Sequence, residues 1–436
     1  MQQQHALRVY KFGGASVKDA AAIRNLMEIV REQRRQGPLL VVVSAMGKTT
    51  NALEEIFRLA YAGQAYAQPL TTLEAFHRTT ARELAAGFGP HTEAAIQEAF
   101  DGAFQDLAAR LAGVSAQREY DEQYDQIVSF GELLASQLIA CALNDEQPTR
   151  WLDCRPLLRT DACWREARLD WLATEAQLRT AVPKLLREVN VLVTQGFVGG
   201  TAGGATTTLG REGSDYTAAI FAYCLQAGSV TIWKDVAGLL NADPKFFADT
   251  VRYPEISYQE TIEMAYYGAS VIHPKTIKPL AVRQIPLFVK SFLDPTAAGT
   301  RIGEGRHALL APAFIRKSGQ CLISFESKDL TFISEENLQV IFGALAQVRL
   351  KINMMQNSAI SFSVCTDLVA HRLEKLLALL REQFTIHYNT GLELYTIRNY
   401  DPASIRRLTA GREVLLEQRS RQTLQVVCRG GSEFVQ

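Results

Sequence analysis

Residues 1–300 alternate short, almost wholly apolar runs with longer stretches in which apolar side chains recur at helical spacing. Such apolar runs are typical of strands buried on both faces, and helices between them indicate a mostly parallel sheet. The predicted strands are Leu7–Phe12, Leu39–Ala45, Val191–Val198, Val230–Asp235 and Ile285–Val289. The predicted helices cover residues 19–36, 51–63, 70–112, 119–143, 173–188, 214–226 and 257–269. The pattern predicts an α/β domain whose central sheet is covered by helices on both faces.

A segment rich in proline and glycine, residues 294–305, breaks this alternation. It predicts two domains, over residues 1–304 and 305–436. The second is β-rich, with helices near 335–347, 368–383 and 402–418 and strands at 321–326, 329–333, 350–356, 359–365, 385–388, 392–397 and 423–428. It carries no cluster of catalytic residue types, and this favours an α+β module for assembly or small-ligand binding.

Charge and cysteine content exclude several classes of protein. Lysine plus arginine and aspartate plus glutamate both total 46, and a net charge of zero argues against nucleic-acid binding. The seven cysteines are scattered without a C-x-x-C pair, so we expect no disulfide framework, no zinc site and a reducing compartment. The polar N-terminus predicts no signal peptide, and no apolar run is long enough to span a bilayer. The expectation is a cytoplasmic protein with no membrane partner.

The candidate chemistry lies in two small-residue loops that follow predicted strands. Thr206–Ala219 contains three consecutive hydroxyl side chains, a glycine turn, and then Arg211 and Asp215. At the N-terminus Lys11 runs into Gly13 and Gly14. Ligands of parallel sheets bind beyond the carboxyl ends of the strands, and backbone amides with a lysine suit phosphate groups. The two loops therefore predict a phosphoryl-transfer site.

Familiar nucleotide signatures are missing, and single motifs have structural alternatives. Gly47-Lys48 lacks the Walker glycine, because Val42 stands in its place, and the glycines of residues 196–204 lack dinucleotide-binding spacing. Taken alone, Lys11 could be a solvated strand end. Gly131, within a predicted helix, indicates close approach of either a ligand or another helix.

Together, the motifs resemble the aspartokinases of the amino-acid kinase superfamily. The matching segments are Lys11–Val17, Val43–Asn51, Ser129–Glu132, Thr206–Ala219, Ile232–Gly238 and Gly268–Pro274. The resemblance covers the whole chain. It implies the amino-acid-kinase fold, followed by an α+β regulatory region of paired ACT-type modules through which the chain forms a homodimer.

The resemblance also implies the reaction. Aspartokinases transfer the γ-phosphoryl group of ATP, with Mg²⁺, to the side-chain carboxylate of L-aspartate, giving 4-phospho-L-aspartate, the first step towards lysine, threonine and methionine. The acceptor carboxylate has a pKa of about 4 and is ionised at neutral pH, so no general base is needed. Catalysis then consists of positioning two anions and neutralising their charge.

Residue roles follow from the resemblance, position by position. Lys11 and Asp215 are implied as catalytic, with Lys11 neutralising the transferred phosphoryl group. The implied aspartate contacts are Ser44, Thr50, Glu132 for the ammonium group and Arg211 for the α-carboxylate. The implied nucleotide contacts are Lys11, Gly13, Gly14, Ser16, Lys234, Asp235, Leu240 and Lys245. No metal site made of protein side chains is implied.

The chain departs from the family pattern in both regions. Glu212, Lys234, Leu240 and Ser270 replace residues that are common in the family near the nucleotide. In the tail, Ser334–Leu338 stands where lysine-regulated members carry a Gly-Phe-Leu step that receives the effector. The polar groups left to bind an amino-acid effector, lysine or threonine, are Asn353, Gln356, Asn357 and Ser358.

Two other functions compete with this one. A related kinase would act on glutamate, acetylglutamate or a nucleotide, but the pair of Arg211 and Glu132 and the ACT-type tail count against it. A non-catalytic amino-acid sensor would be expected to have lost Lys11 or Asp215, and neither is lost.

Overall fold

The computed structural model describes residues 6–33, 37–269, 272–305, 311–329 and 331–429. The chain divides into two compact units, and each is built from three segments. The first comprises Met1–Leu239, Pro254–Thr261 and Ile272–Arg306, and the second comprises Leu240–Tyr253, Ile262–Val271 and His307–Gln436. Two segments that precede residue 304 thus group with the second unit, and the domain boundary at residue 304 stays a prediction.

The first unit contains a large sheet and a separate hairpin. The strands are β1 (Arg8–Phe12), β2 (Leu39–Val43), β3 (Thr149–Leu152), β4 (Val191–Gln195), β5 (Val198–Gly200), β6 (Thr206–Thr208), β7 (Ser229–Lys234), β8 (Glu255–Ser257), β9 (Leu287–Ser291) and β10 (Thr300–Gly303). Eight of them form one sheet in the order β3-β4-β2-β1-β7-β9-β10-β8, and β5 pairs with β6. All neighbours in the large sheet are parallel except β9 and β10.

Helices cover both faces of this sheet. The helices of the first unit are α1 (Ala20–Gln33), α2 (Thr49–Tyr61), α3 (Ala67–Ala85), α4 (Pro90–Ala112), α5 (Tyr120–Val128), α6 (Phe130–Glu146), α7 (Trp171–Leu185), α8 (Gly213–Leu225) and α10 (Pro274–Val282), and α9 (Tyr258–Tyr267) begins in the first unit and ends in the second. Tyr10 and Phe12 belong to the core shared with α1–α6, whereas α8, flanked by α7 and α10, contacts β1 and β7. Successive strand residues point to opposite faces, and a strand buried on both reads as a continuous apolar run. The predicted mostly parallel sheet with helices on both faces is confirmed.

Two predicted helices are each divided in the structure. The stretch 70–112 forms α3 and α4, because Gly89 and Pro90 provide an N-cap and a first-turn proline. The stretch 119–143 forms α5 and α6, which meet at Ser129. A Cβ atom on Gly131 would lie 2.8 Å from the Cβ atom of Ala45, so packing against the loop after β2 accounts for this glycine.

Taken together, Tyr120–Glu146 is long and apolar enough by composition to cross a membrane, but 83% of its most apolar window is buried inside the protein. Most side chains of α6 belong to the core of the first unit. This burial is that of a core helix.

The second unit is an antiparallel α+β structure. Its strands are β11 (Ala313–Ser327), β12 (Ile352–Asn357), β13 (Ser361–Asp367), β14 (Phe384–Arg398), β15 (Val414–Arg419) and β16 (Thr423–Arg429), in the order β12-β13-β11-β14-β16-β15. Its helices are α11 (Glu335–Gln347), α12 (Ala370–Leu380) and α13 (Pro402–Thr409).

Two predictions for this region are wrong in part. Residues 402–418 are not one helix, because α13 ends at Thr409 and residues 414–419 pair with β16 as an edge strand. Within the described part of 329–333 there is no strand. The Asp329 carboxylate there accepts hydrogen bonds from the amide and hydroxyl of Thr331, at 3.2 and 2.6 Å, and so stabilises a turn.

Candidate active site

The site begins where the central strand β1 ends. Lys11 lies in register with Val42 of β2 and Ile232 of β7, and it is 8% exposed. After the strand the chain turns at once into a short 3-10 helix, Gly14–Val17. A Cβ atom on Gly14 would lie 2.9 Å from the carbonyl oxygen of Ala45, so glycine alone permits this contact between the loops after β1 and β2.

Lys11 forms a buried ion-pair cluster with Asp215 and Lys234. Its Nζ lies 2.6 Å from Oδ1 of Asp215, and Nζ of Lys234 lies 3.5 Å from Oδ2 of the same carboxylate. Burial alone would raise the pKa of Asp215, but the two ammonium groups outweigh burial and hold that pKa below its ordinary value. The carboxylate is therefore ionised, and it fixes two cations at the carboxyl ends of adjacent strands.

The segment that carries Arg211 is held by its neighbours on α10. Glu212 adopts a left-handed conformation with φ of 53°, which accounts for the glycine common there in the family. Its carboxylate accepts a hydrogen bond from the amide of His273 at 2.9 Å, and the carbonyl of Leu209 accepts one from Nζ of Lys275 at 2.8 Å. Arg211 is exposed, and no hydrogen bond or ion pair of its guanidinium occurs within the described ranges.

Glu132 comes from the first turn of α6 and is 4% exposed. One of its carboxylate oxygens, Oε1, accepts a hydrogen bond from the amide of Ala45 at 3.2 Å. In the part of the chain that the structure describes, the buried Oε2 atom has no partner. Burial raises the pKa of Glu132 to about 7, against the opposing effects of the Ala45 amide and the charge of Lys11. A cationic group entering here would give Oε2 of Glu132 the hydrogen-bond partner that the described residues do not supply.

These groups line one cavity of about 820 Å³ in the first unit. It brings together eight of the residues that the sequence predicted for the site: Lys11, Gly14, Ser44, Thr50, Glu132, Arg211, Asp215 and Lys234. A volume of this size is within the usual range for small-molecule sites. The cavity has a lysine-rich end at Asp215, a carboxylate at Glu132 and a guanidinium at Arg211.

Other predicted nucleotide contacts are not in this lining. Gly13 and Ser16 belong to the turn after β1, where the Ser16 hydroxyl donates to the carbonyl of Trp233 at 3.4 Å. Asp235 is exposed just after β7. Leu240 and Lys245 belong to the second unit, and Ser270 lies outside the described residues.

The sequence did not single out two further features, one in the cavity lining and one behind it. One is the segment 163–166, all of which lines the cavity. The other is Asp125, a fully buried carboxylate of α5 that accepts hydrogen bonds from the amides of Arg165 and Thr208 at 3.0 and 2.8 Å. Asp125 shares the buried face of α5 with Tyr124, Ile127 and Val128, and an acidic residue among such apolar neighbours was the available signal. The segment 163–166 carries no motif of its own.

The residues predicted for the effector lie on β12 and in the turn that follows it. Nδ2 of Asn353 donates to Gln320 and Asp367 at 2.9 and 3.0 Å, and its Oδ1 accepts from Lys317 at 3.1 Å. Gln356, Asn357 and Ser358 are exposed. The Ser334–Leu338 step begins α11, with a capping box between Ser334 and Asn337.

Comparison with known proteins gives the same assignment for the sequence and for the fold. Residues 6–291 match the family model described as the amino acid kinase family. The chain is 33% identical to the lysine-sensitive aspartokinase 3 of Escherichia coli over 363 residues, which are 82% of this chain and 78% of that protein. It is also 33% identical to the aspartokinase of Chlamydia trachomatis over 329 residues, 74% of this chain and 71% of that one.

The fold agrees with the sequence comparison. A crystal structure of Escherichia coli aspartokinase III, in complex with lysine and aspartate in its T-state, superposes with a TM-score of 0.78 at 27% identity and covers 97% of this chain and 95% of that one. The expected amino-acid-kinase fold followed by an ACT-type region is thereby confirmed. The chain belongs to the amino acid kinase family and, within it, to the aspartokinases.

Proposed function

We propose that the cavity of the first unit is the site at which this aspartokinase transfers the γ-phosphoryl group of ATP to the side-chain carboxylate of L-aspartate. The observation that carries this assignment is the buried cluster in which Lys11 lies 2.6 Å and Lys234 3.5 Å from Asp215, in the same cavity as Glu132 and Arg211. The two lysines suit the phosphate groups of ATP. The Glu132 carboxylate and the Arg211 guanidinium suit the ammonium group and the α-carboxylate of aspartate.

The lysine cluster is assigned to the transferred group. Lys11 and Lys234 are drawn to one carboxylate, so their positions are fixed before a substrate enters. As the bond from the γ-phosphorus to the bridging oxygen of ATP breaks, negative charge spreads over the phosphoryl oxygens and the ADP leaving group. Preorganised cations at that point stabilise the transition state without further rearrangement. Asp215 contributes by holding both lysines.

Aspartate is assigned to Glu132 and Arg211, with Ser44 and Thr50 beside it. The unpartnered Oε2 of Glu132 suits the substrate ammonium group, whose charge would favour the ionised carboxylate. The guanidinium of Arg211 suits the α-carboxylate, because its planar fork can form two parallel hydrogen bonds. The side-chain carboxylate then attacks the γ-phosphorus as an ionised nucleophile, and no proton has to be removed.

Mg²⁺ is proposed to accompany ATP. Among the described residues no group of three or more His, Cys, Asp or Glu side chains is arranged to hold a metal ion. The Asp215 carboxylate borders the proposed phosphate end, and Mg²⁺ is usually held by one or two carboxylates and the phosphates themselves. When bound, the ion would neutralise phosphate charge.

Other proposed nucleotide contacts come from the loops after β1 and β7, through Gly13, Gly14, Ser16 and Asp235. We also propose Leu240 and Lys245 as nucleotide contacts, because the family resemblance implies this role. We also propose a cytoplasmic location, because none of the seven cysteines forms a disulfide and five of them are buried.

For the second unit we propose binding of an amino-acid effector, lysine or threonine, and homodimer formation. Its antiparallel sheet ends in the edge strands β12 and β15, which offer unpaired backbone groups to a second copy. Because the hydrogen bonds of Asn353 already join three side chains of this unit, an effector there would act through Gln356, Asn357 and Ser358 or would displace a partner of Asn353.

A coupled assay of ADP release tests the assignment. The purified chain should release ADP with L-aspartate as acceptor, and far more slowly with glutamate or acetylglutamate. Adding lysine and threonine in turn tests the second unit in the same assay. Turnover with glutamate or acetylglutamate but none with aspartate would assign the cavity to another kinase of the family.

A further inference from the structure

We propose that Arg165 is a second guanidinium for the substrate α-carboxylate and so determines specificity together with Arg211. This inference rests on the proposed function and adds a residue that no motif of the sequence identified. Arg165 lines the same cavity as Arg211, and its side chain is 47% exposed.

The backbone at Arg165 is held in a conformation that side-chain-bearing residues rarely adopt. Its φ is 66°, in the left-handed region that favours glycine. The amide of Arg165 donates to buried Asp125 at 3.0 Å, and the amide of Ala167 donates to the carbonyl of Thr208 at 3.0 Å. Strained positions held by buried hydrogen bonds occur preferentially at functional sites, and a large charged side chain here is not required by the turn itself.

The guanidinium is aimed by a second set of contacts. Its Cζ atom lies over the ring of Tyr124, 4.2 Å from the ring centroid, and Nη1 donates to Oδ1 of Asp121 at 3.3 Å. The Tyr124 hydroxyl donates to the carboxylate of Glu54, which also lines the cavity. The contact of the guanidinium with Asp121 joins two exposed groups and is weak enough to exchange for a ligand.

Arg165 and Arg211 lie on segments that touch. A Cβ atom on Gly210, the residue before Arg211, would lie 3.2 Å from the carbonyl oxygen of Arg165 and 3.1 Å from Cγ of Glu166. Asp125 also binds both the amide and the hydroxyl of Thr208, at 2.8 Å each, so one buried carboxylate positions both segments. Asp125 is therefore a positioning residue for this pair of arginines.

Among the described residues that line the cavity, four carry a lysine or arginine side chain, and two of these, Lys11 and Lys234, are paired with Asp215. Arg165 and Arg211 are the other two. The phosphoryl end thus has its own cations, and the Arg165 and Arg211 side of the cavity suits the carboxylate that is not phosphorylated.

The test compares L-aspartate with its α-amide, which keeps the side-chain carboxylate as acceptor but has no α-carboxylate charge. Arg165→Gly suits the left-handed backbone, so the fold and Tm should be retained. Losing one charge-assisted hydrogen bond should raise the KM for aspartate about 10-fold and lower the preference for aspartate over the amide by about the same factor. The KM for ATP should not change, and Arg165→Lys should keep part of the preference.

Arg349→Gly is the matched control. Arg349 has a φ of 55° and lies outside the cavity lining, so the same change at a similar backbone conformation should leave both ratios unaltered. An unchanged preference in Arg165→Gly would overturn the proposal, and so would an equal loss for both substrates, which would indicate a structural role. If Arg211→Lys impairs aspartate use while Arg165→Gly does not, only Arg165 is misassigned. An unaltered enzyme that does not phosphorylate aspartate would refute the proposed function itself.

Discussion

Replacing Glu132 by glutamine is expected to make the free enzyme more stable and at the same time less able to bind aspartate. The carboxylate is 4% exposed, and its Oε2 atom has no partner within the described residues. Burial raises its pKa from 4.5 to about 7. The ionised form that the substrate ammonium requires is therefore unfavourable in the free protein, and this penalty is what the substitution removes.

The magnitude follows from the two pKa values. A group with a pKa of 4.5 in the unfolded chain and about 7 in the folded one differs by about 3 kcal/mol between them, at 1.36 kcal/mol per unit. Below the lower value the carboxyl is protonated in both states and does not affect the free energy of unfolding. As the pH rises from 4.5 to about 7 the unfolded chain ionises first, so the folded protein loses stability. Above the higher value the full penalty is present.

Thermal unfolding without substrate, followed from about pH 5 to pH 8, measures the first half of this prediction. The Tm advantage of Glu132→Gln over the unaltered enzyme should grow by about 5 °C across this range. Steady-state kinetics measure the second half. At the upper end the KM for aspartate should rise about 10- to 100-fold, the loss expected for one hydrogen bond to a charged group, while the KM for ATP is unchanged.

The unaltered enzyme should show the same site in its pH profile. Its KM for aspartate should rise as the pH falls through about 7, because protonated Glu132 no longer attracts an ammonium group, and the glutamine variant should lack this step. Glu188→Gln is the control: it makes the same chemical change at an exposed ion pair with Arg150. A Tm difference that is constant with pH would refute the burial argument, and an unchanged KM for aspartate would remove Glu132 from the substrate site.

Three further predictions concern the other groups. Lys11→Ala should reduce kcat about 10³-fold or more with the fold retained by circular dichroism, and near-normal turnover would exclude it from the phosphoryl site. Arg211→Lys should weaken aspartate use by about 2 kcal/mol through loss of the planar fork, whereas a rise in the KM for ATP alone would assign Arg211 to the nucleotide. Inhibition by lysine or threonine should be modest, because the Ser334–Leu338 segment at the start of α11 replaces the Gly-Phe-Leu step that receives the effector in lysine-regulated members of the family. Strong inhibition that survives Asn353→Ala and Ser358→Ala would contradict this account of the tail.

The sequence alone determined the class of fold and pointed to eight of the residues that line the cavity. Apolar runs such as Leu39–Val43 are buried along their whole length, and that pattern is specified locally because such a segment has no polar face to expose. The sequence also predicted that Lys11 and Asp215 lie close together, because each follows a predicted strand, but the strand before Asp215 is β6 of the antiparallel hairpin and not a strand of the large parallel sheet.

Where helices and strands end was decided partly by contacts distant in sequence. Helix propensity alone did not reveal that the predicted helix 119–143 breaks at Ser129, or that the end of the predicted helix 402–418 belongs to β15 and pairs with β16. The partner strand supplies hydrogen bonds that outweigh local preference. Gly131 was ambiguous for the same reason: the atom that forbids a side chain there belongs to Ala45.

Only the tertiary structure decided how the charges of the cavity are shared. The sequence does not indicate that Asp125 anchors a strained loop or that Arg165 enters the cavity. It also does not indicate that Glu132 is buried with a carboxylate oxygen that has no partner among the described residues. A pKa or a hydrogen bond depends on what surrounds a group, and those surroundings come from segments far apart in the chain. Periodicity records which face of an element is buried, but it carries no information about which buried groups meet.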